Sequence, residues 1–123
     1  YKLTLKAFDI KHGDAKTRLQ KETQALLSAT ESCDVLIALD ERGKNLTSPE
    51  FAALLGGFVQ QGRPNIGLAI GGADGLSPEL RRKADVTLAF GSATWPHMLV
   101  RAMLAEQLYR AQMILSGHPY HRV

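Results

Sequence analysis

The chain closes on "SGHPYHRV", which gathers His118, Tyr120, His121 and Arg122. Imidazole and phenol groups hold or move protons, an aromatic ring stacks on a base, and a guanidinium grips a phosphate through its planar fork. Arg110, a little upstream, adds a second guanidinium. Two histidines three apart raise the question of a metal, but no further His, Cys, Asp or Glu cluster stands at ligand spacing, so no metal is expected.

A second set of residues lies in two small-residue stretches. "AIGGADGLSP" places Gly71, Gly72 and Gly75 between an apolar run and a Ser-Pro start. "AFGSATWPH" places Gly91, Ser92, Ala93 and Thr94 ahead of Trp95, Pro96 and His97. Small residues leave room and expose main-chain amides and carbonyls, which can hold an adenine or a ribose. The glycines alone are also explained by a tight strand-to-helix turn, and His97 suits a structural partner at a helix start. The first stretch does not spell G-x-G-x-x-G. The "GK" of "LDERGKNLT" has Asn45 where a phosphate loop needs Ser or Thr, so dinucleotide and P-loop sites are excluded.

These stretches need elements to position them. "KLTLKAFDI" alternates as a half-exposed strand, and "DAKTRLQKETQALLSAT" reads as a helix with Asp14 as its cap and Leu19, Ala25, Leu26 and Ala29 toward a core. "DVLIALD", "NIGLAIGG" and "DVTLAFG" are apolar runs of the kind buried on both faces of a parallel sheet. "SPEFAALLGGFVQQG" opens a helix with Ser48 as N-cap and Pro49 at the first position, "SPELRRKA" repeats that opening in a short helix, and "HMLVRAMLAEQLYRAQMIL" is a long helix. The fold class is therefore α/β, a parallel-sheet α/β/α sandwich in one domain over 1–123. Ligands of such sheets bind at the carboxyl ends of the strands. Those ends read "ALDERGKN", "AIGGADGLSP" and "AFGSATWPH", where the chain stops looking like core.

The long helix carries apolar residues on two sides. Met98, Ala102, Ala105, Tyr109 and Met113 form one arc, and Val100, Leu104, Ala111 and Leu115 another. One side can face the sheet, and the other calls for a second copy of the chain, so a homodimer through the 97–115 helix is expected.

The 123 residues carry a net charge of +3. Residues 1–61 hold eight basic and eight acidic residues, and 62–123 hold seven and four, so the whole excess is C-terminal and six of its seven cations are arginine. That bias points weakly to nucleic acid. The single Cys33 excludes an internal disulfide, argues for a reducing, cytoplasmic setting, and reads as a small residue near the core. No apolar run approaches bilayer length and the start does not read as a signal peptide, so no membrane is expected.

Taken together, "LDERGKNLTSPEFA", "IGGADGLSP", "TWPHMLVRAMLAEQLYRAQMI" and "HPYHR" resemble the ribosomal RNA large-subunit methyltransferase H family, a branch of the SPOUT superfamily, over roughly residues 34–123. The resemblance implies a C-terminal trefoil knot, and members of the family begin with a strand and helix that this chain lacks. It implies transfer of a methyl group from S-adenosyl-L-methionine to N3 of pseudouridine 1915 in helix 69 of 23S rRNA, on the assembled 70S ribosome, by a homodimer. Carried over by motif, the cofactor-binding residues are Leu39, Gly72, Gly91, Ser92, Ala93, Thr94, Trp95 and Pro96. Tryptophan at 95 departs from the aliphatic residue of other members, which is compatible with contact through its backbone. The residues that position the base and meet its proton are then Tyr120, His121, His118 and Arg122 from the tail and Arg110 from the long helix, completed across the dimer. Two rivals remain: a non-enzymatic ribosome- or RNA-binding module on the same scaffold, and a flavodoxin-like nucleotide-binding protein, which leaves the tail unexplained.

Overall fold

The structure, a computed structural model, describes residues 14–71, 75–91, 93 and 95–121, the side chain of His97 excepted. The strand expected in "KLTLKAFDI" lies outside the described residues. The elements run α1 (Ala15–Ala29), β1 (Val35–Asn45), α2 (Ser48–Gln60), β2 (Ile66–Ile70), α3 (Pro78–Lys83), β3 (Val86–Ala89) and α4 (His97–Leu115).

Helix starts follow their caps. The Asp14 carboxylate accepts from the Thr17 amide at 2.8 Å, and the Ser77 hydroxyl accepts from the Leu80 amide at 3.2 Å, with Pro78 opening α3. At α2 the cap is Thr47 rather than Ser48. The Thr47 hydroxyl accepts from the Glu50 amide, and the Glu50 carboxylate accepts from the Thr47 amide at 2.8 Å. A reciprocal box of this kind needs its acid three residues after the cap, which favours Thr47. Ser48, inside the helix, is freed to donate to Gln107 Oε1 at 2.6 Å and ties α2 to α4.

The three strands form a parallel sheet in the order β2-β1-β3. Its middle strand is buried on both faces, with Ile37 and Ala38 each 0 % exposed. Val35, Ile37 and Leu39 pack with Phe51 and Leu55 of α2 and with Leu104 and Leu108 of α4. Leu36 and Ala38 pack on the other face with Leu76 and Leu80, and Leu26 and Leu27 of α1 close over them. Two helices therefore cover each face, as the apolar runs demanded. A buried hydroxyl pair joins the second layer, Thr23 to Ser77 at 2.7 Å.

β1 differs from expectation in length, continuing as strand through "ERGKN", beyond the apolar run "DVLIALD". Leu39 and Lys44 both pair with Leu88, so Asp40–Gly43 is taken up without any advance along β3. Gly43 makes this possible: a Cβ there would stand 2.6 Å from main-chain atoms of Leu88 and Thr87, far inside contact distance.

In α4, Leu104, Leu108 and Ala111 are buried, while Met98, Ala102, Ala105 and Tyr109 are exposed. Leu115, which shares an arc with Leu104 and Ala111, is 49 % exposed because it ends the helix, and Leu108, in neither arc, faces the core. Among the described residues no helix is long and apolar enough to cross a membrane.

Candidate functional site

The carboxyl ends of the three strands surround a pocket of about 660 Å³, a volume in the range that holds small molecules. Leu39 ends the buried part of β1, Ile70 and Gly71 leave β2, and Leu88 to Gly91 leave β3; all of them line it. Leu39 is buried and presents an apolar floor. Gly71 and Gly75 approach each other closely at one side. A Cβ on Gly71 would lie 2.5 Å from the Gly75 main chain, and Gly75 holds φ +74°, so both positions demand glycine.

The opposite wall is formed by Gly91, Ala93, Trp95 and Pro96. Two side chains pin it. The Asn45 Oδ1 accepts from the Gly91 amide at 2.8 Å, and the Trp95 indole N–H donates to the Phe90 carbonyl at 2.9 Å. Trp95 is thereby oriented while remaining 44 % exposed at the rim. α4 starts immediately beyond, with Val100 in the pocket wall.

Of the cofactor residues expected from the sequence, the structure brings Leu39, Gly91, Ala93, Trp95 and Pro96 to this one pocket. Gly72, Ser92 and Thr94 lie outside the described residues. Asn45 entered the sequence reading only as a mismatch to a phosphate loop; its tie to Gly91 spans two strands and leaves no local signal. Asp40 and Arg42 also line the mouth. The Arg42 guanidinium holds the Asp40 carboxyl below the usual carboxylate range by direct hydrogen bonding, helped by the charge of Arg81. The pocket fits an adenosyl amino acid in size, in exposed main chain and in apolar floor. Among the described residues no group of three potential metal ligands exists.

The tail forms a separate cluster on α4. Arg110 donates to Glu106 Oε1 through Nε at 2.9 Å and Nη2 at 2.6 Å. Tyr120 donates from its hydroxyl to the same oxygen at 3.3 Å. The Tyr120 ring meets Tyr109 edge-on at 4.9 Å, and the Arg110 guanidinium sits 4.9 Å from the Tyr120 centroid. Arg110 Nη1 lies 3.0 Å from His121 Nδ1. A guanidinium has no acceptor, so His121 Nδ1 must accept, which leaves the proton of the neutral ring on Nε2. The hydrogen bond from Arg110 holds the Glu106 carboxyl below its ordinary value, and Glu106 raises Arg110 in turn. His118 stays exposed, its Nδ1 accepting from the Tyr120 amide at 3.2 Å. Arg122 lies outside the described residues. Glu106 and Tyr109 were missed as site residues, although Glu106 and Arg110 stand at the i,i+4 spacing of a helical ion pair.

Within one chain the two sets stay apart. Val100 borders the pocket and Arg110 anchors the tail, a separation of about 15 Å along a helix of 1.5 Å rise. Exposed apolar residues stand at both ends of this span, Met98 at 59 % and Leu99 at 45 % beside Val100 and Tyr109 at 49 % beside Arg110. A second hollow of about 590 Å³ lies at the opposite, amino ends of the strands, where Cys33, Asp34 and Asp85 line it.

Comparison with known proteins adds to this geometry. The family model described as "Predicted SPOUT methyltransferase" matches residues 2–121, reaching further toward the start than the motifs of the sequence alone. A protein of Rhizobium etli named ribosomal RNA large subunit methyltransferase H is 58% identical over 110 residues, covering 89% of this chain and 69% of its own length. Proteins of the same name from Nitrobacter hamburgensis and Rhodospirillum centenum are 51% and 54% identical, each over 98% of this chain and 79% and 80% of their own lengths.

Proposed function

The chain belongs to the SPOUT methyltransferase family, and from that premise we propose that it methylates ribosomal RNA, at N3 of pseudouridine 1915 in helix 69 of 23S rRNA on the assembled 70S ribosome. The observation that carries the reading is the convergence of Leu39, Gly91, Ala93, Trp95 and Pro96 on one strand-end pocket. These residues, with Gly72, Ser92 and Thr94, are proposed to hold S-adenosyl-L-methionine, which supplies a methyl group already activated on a sulfonium. The names of the relatives support the rRNA substrate. Residues 1–123 are read as a single domain of this family, with the knot that the family implies at its C-terminal part.

The chain's own task is then to fix the target base and to meet the proton that its imide nitrogen sheds. The Tyr120 ring, braced by Tyr109 and Arg110, is a stacking surface for a base. His121, with Nδ1 engaged by Arg110, presents Nε2–H as a donor toward a base carbonyl, where it stabilises the negative charge left by proton loss. So arranged, neutral His121 positions and does not abstract, and the imide proton leaves to solvent water. Arg110 and Glu106 neutralise each other and hold the platform. Arg122 and His118 complete the proposed set.

Pocket and tail meet in this reading through a homodimer. The exposed face of α4 packs on its copy and carries one chain's tail toward the partner's pocket.

The test is calorimetric titration with S-adenosylhomocysteine followed by methyl transfer to 70S ribosomes lacking the modification. Saturable binding and labelled 23S rRNA are expected. Tyr120→Phe and His121→Ala should lower turnover more than cofactor affinity. A folded dimer that binds ribosomes without binding the cofactor would select the non-enzymatic module instead.

A further inference from the structure

We infer that Arg42 receives an RNA phosphate at the mouth of the strand-end pocket; the inference rests on the rRNA substrate proposed above. Arg42 lies in Asp40–Gly43, the four residues that β1 accommodates without advancing along β3. One carboxylate fixes it three ways. Asp40 Oδ1 accepts from the Arg42 amide at 2.9 Å and from Nε at 2.9 Å, and Oδ2 accepts from Nη2 at 3.1 Å. The anchor is nearly buried, with the Asp40 side chain 5 % exposed, whereas that of Arg42 is 58 % exposed. The guanidinium is thus held rigidly while facing water at the rim. Nη1 carries no hydrogen bond among the described residues.

Loop integrity does not account for the pair. The close approach of Gly43 to β3 already fixes the far end of the loop, and ion pairs with an exposed partner add little to stability. Charge gives it a task. Among the described residues that line the pocket, Asp40, Glu41 and Arg42 carry charge and sum to −1. That balance suits a cationic cofactor, but it repels a phosphate unless the guanidinium meets the phosphate first. An arginine pre-oriented by a buried acid loses little freedom on binding and offers a planar fork to two phosphate oxygens.

The experiment measures binding to 70S ribosomes lacking the modification, across a salt series, beside titration of each variant with S-adenosylhomocysteine. Arg42→Ala should raise the ribosome Kd about fivefold to tenfold and flatten the salt dependence by about one unit of slope, with cofactor affinity unchanged. Arg42→Lys should restore the slope and only part of the affinity. Asp40→Asn separates anchoring from charge: it adds +1 to the mouth, so a site working by charge alone binds tighter, whereas a guanidinium that needs its anchor binds more weakly. Weaker binding is expected, and tighter binding would overturn the anchored role. Unchanged Kd and slope in Arg42→Ala, with wild-type methyl transfer intact, would refute the inference and leave the proposed function standing. A loss of cofactor affinity with ribosome binding preserved would assign Arg42 to the cofactor's carboxylate and refute it equally. Wild-type protein that neither binds ribosomes nor transfers methyl removes the proposed function and the inference with it.

Discussion

Asn45 offers a sharp perturbation of the pocket because its side chain makes one tie among the described residues, to the Gly91 amide at 2.8 Å. Its main chain pairs with Ala89 in the sheet, and a substitution leaves that pairing in place. Asn45→Ala therefore unpins one wall of the pocket while leaving the strand intact. A hydrogen bond of this kind contributes about 0.5–1.5 kcal/mol net, and the exposed position of Asn45 lets water replace part of it. A loss of about 0.5–1 kcal/mol in cofactor binding is expected, or roughly a twofold to fivefold rise in Kd. Isothermal titration with S-adenosylhomocysteine reads this directly, and thermal melting should move little. Asn45→Asp keeps an acceptor oxygen at the same place and should bind close to wild type. Wild-type affinity in Asn45→Ala would refute the pinning argument. So would an equal loss in Asn45→Asp, because the acceptor would then not be what matters.

Three further outcomes follow from the same geometry. Gly43→Ala drives a Cβ to 2.6 Å from the β3 main chain, so β1 and β3 must separate; a cost of about 1–3 kcal/mol should appear as a lowered melting temperature and faster amide exchange in β3. Met98→Asp or Tyr109→Glu places a charge on the exposed α4 face and should shift the proposed dimer to monomer in sedimentation equilibrium, with S-adenosylhomocysteine titration reporting whether the pocket needs the partner. The Glu106 carboxyl is held below its ordinary value by Arg110, so its contribution is whole above the unfolded value and is lost as pH falls through the folded one. The difference in melting temperature between wild type and Glu106→Gln should accordingly shrink on acidification below the usual carboxylate range, and a difference that grows there would contradict the pair.

The sheet was legible because strands of a covered parallel sheet carry near-continuous apolar runs, and "VLIAL", "IGLAI" and "VTLAF" are such runs with the single polar Thr87 among them. The cap of α2 is Thr47, one residue ahead of the expected Ser48, and its signal is Thr47-x-x-Glu50; the Ser48-Pro49 pair imitates a cap followed by a first-turn proline. The extension of β1 through "ERGKN" was not legible, since polar residues with a glycine look like loop and only the approach of β3 makes them strand. Strand-end residues such as Leu39 and Gly91 could be found from where apolar runs stop. Asn45 could not, because its partner lies 46 positions away. In the tail the residue types announced chemistry, but the brace of Tyr109 and Glu106 arises only when the chain folds back on α4.

The doubled register of β1 has a consequence for how such a protein changes over time. Because Leu39 and Lys44 share one partner on β3, the segment between them is an excursion that the ladder does not count. Residues can be exchanged there, and by the same geometry added or removed ahead of Gly43, without shifting any strand pairing downstream. The rim of the pocket is thus uncoupled from the core that supports it, and its side chains can drift while the stability of the sheet stays where it was.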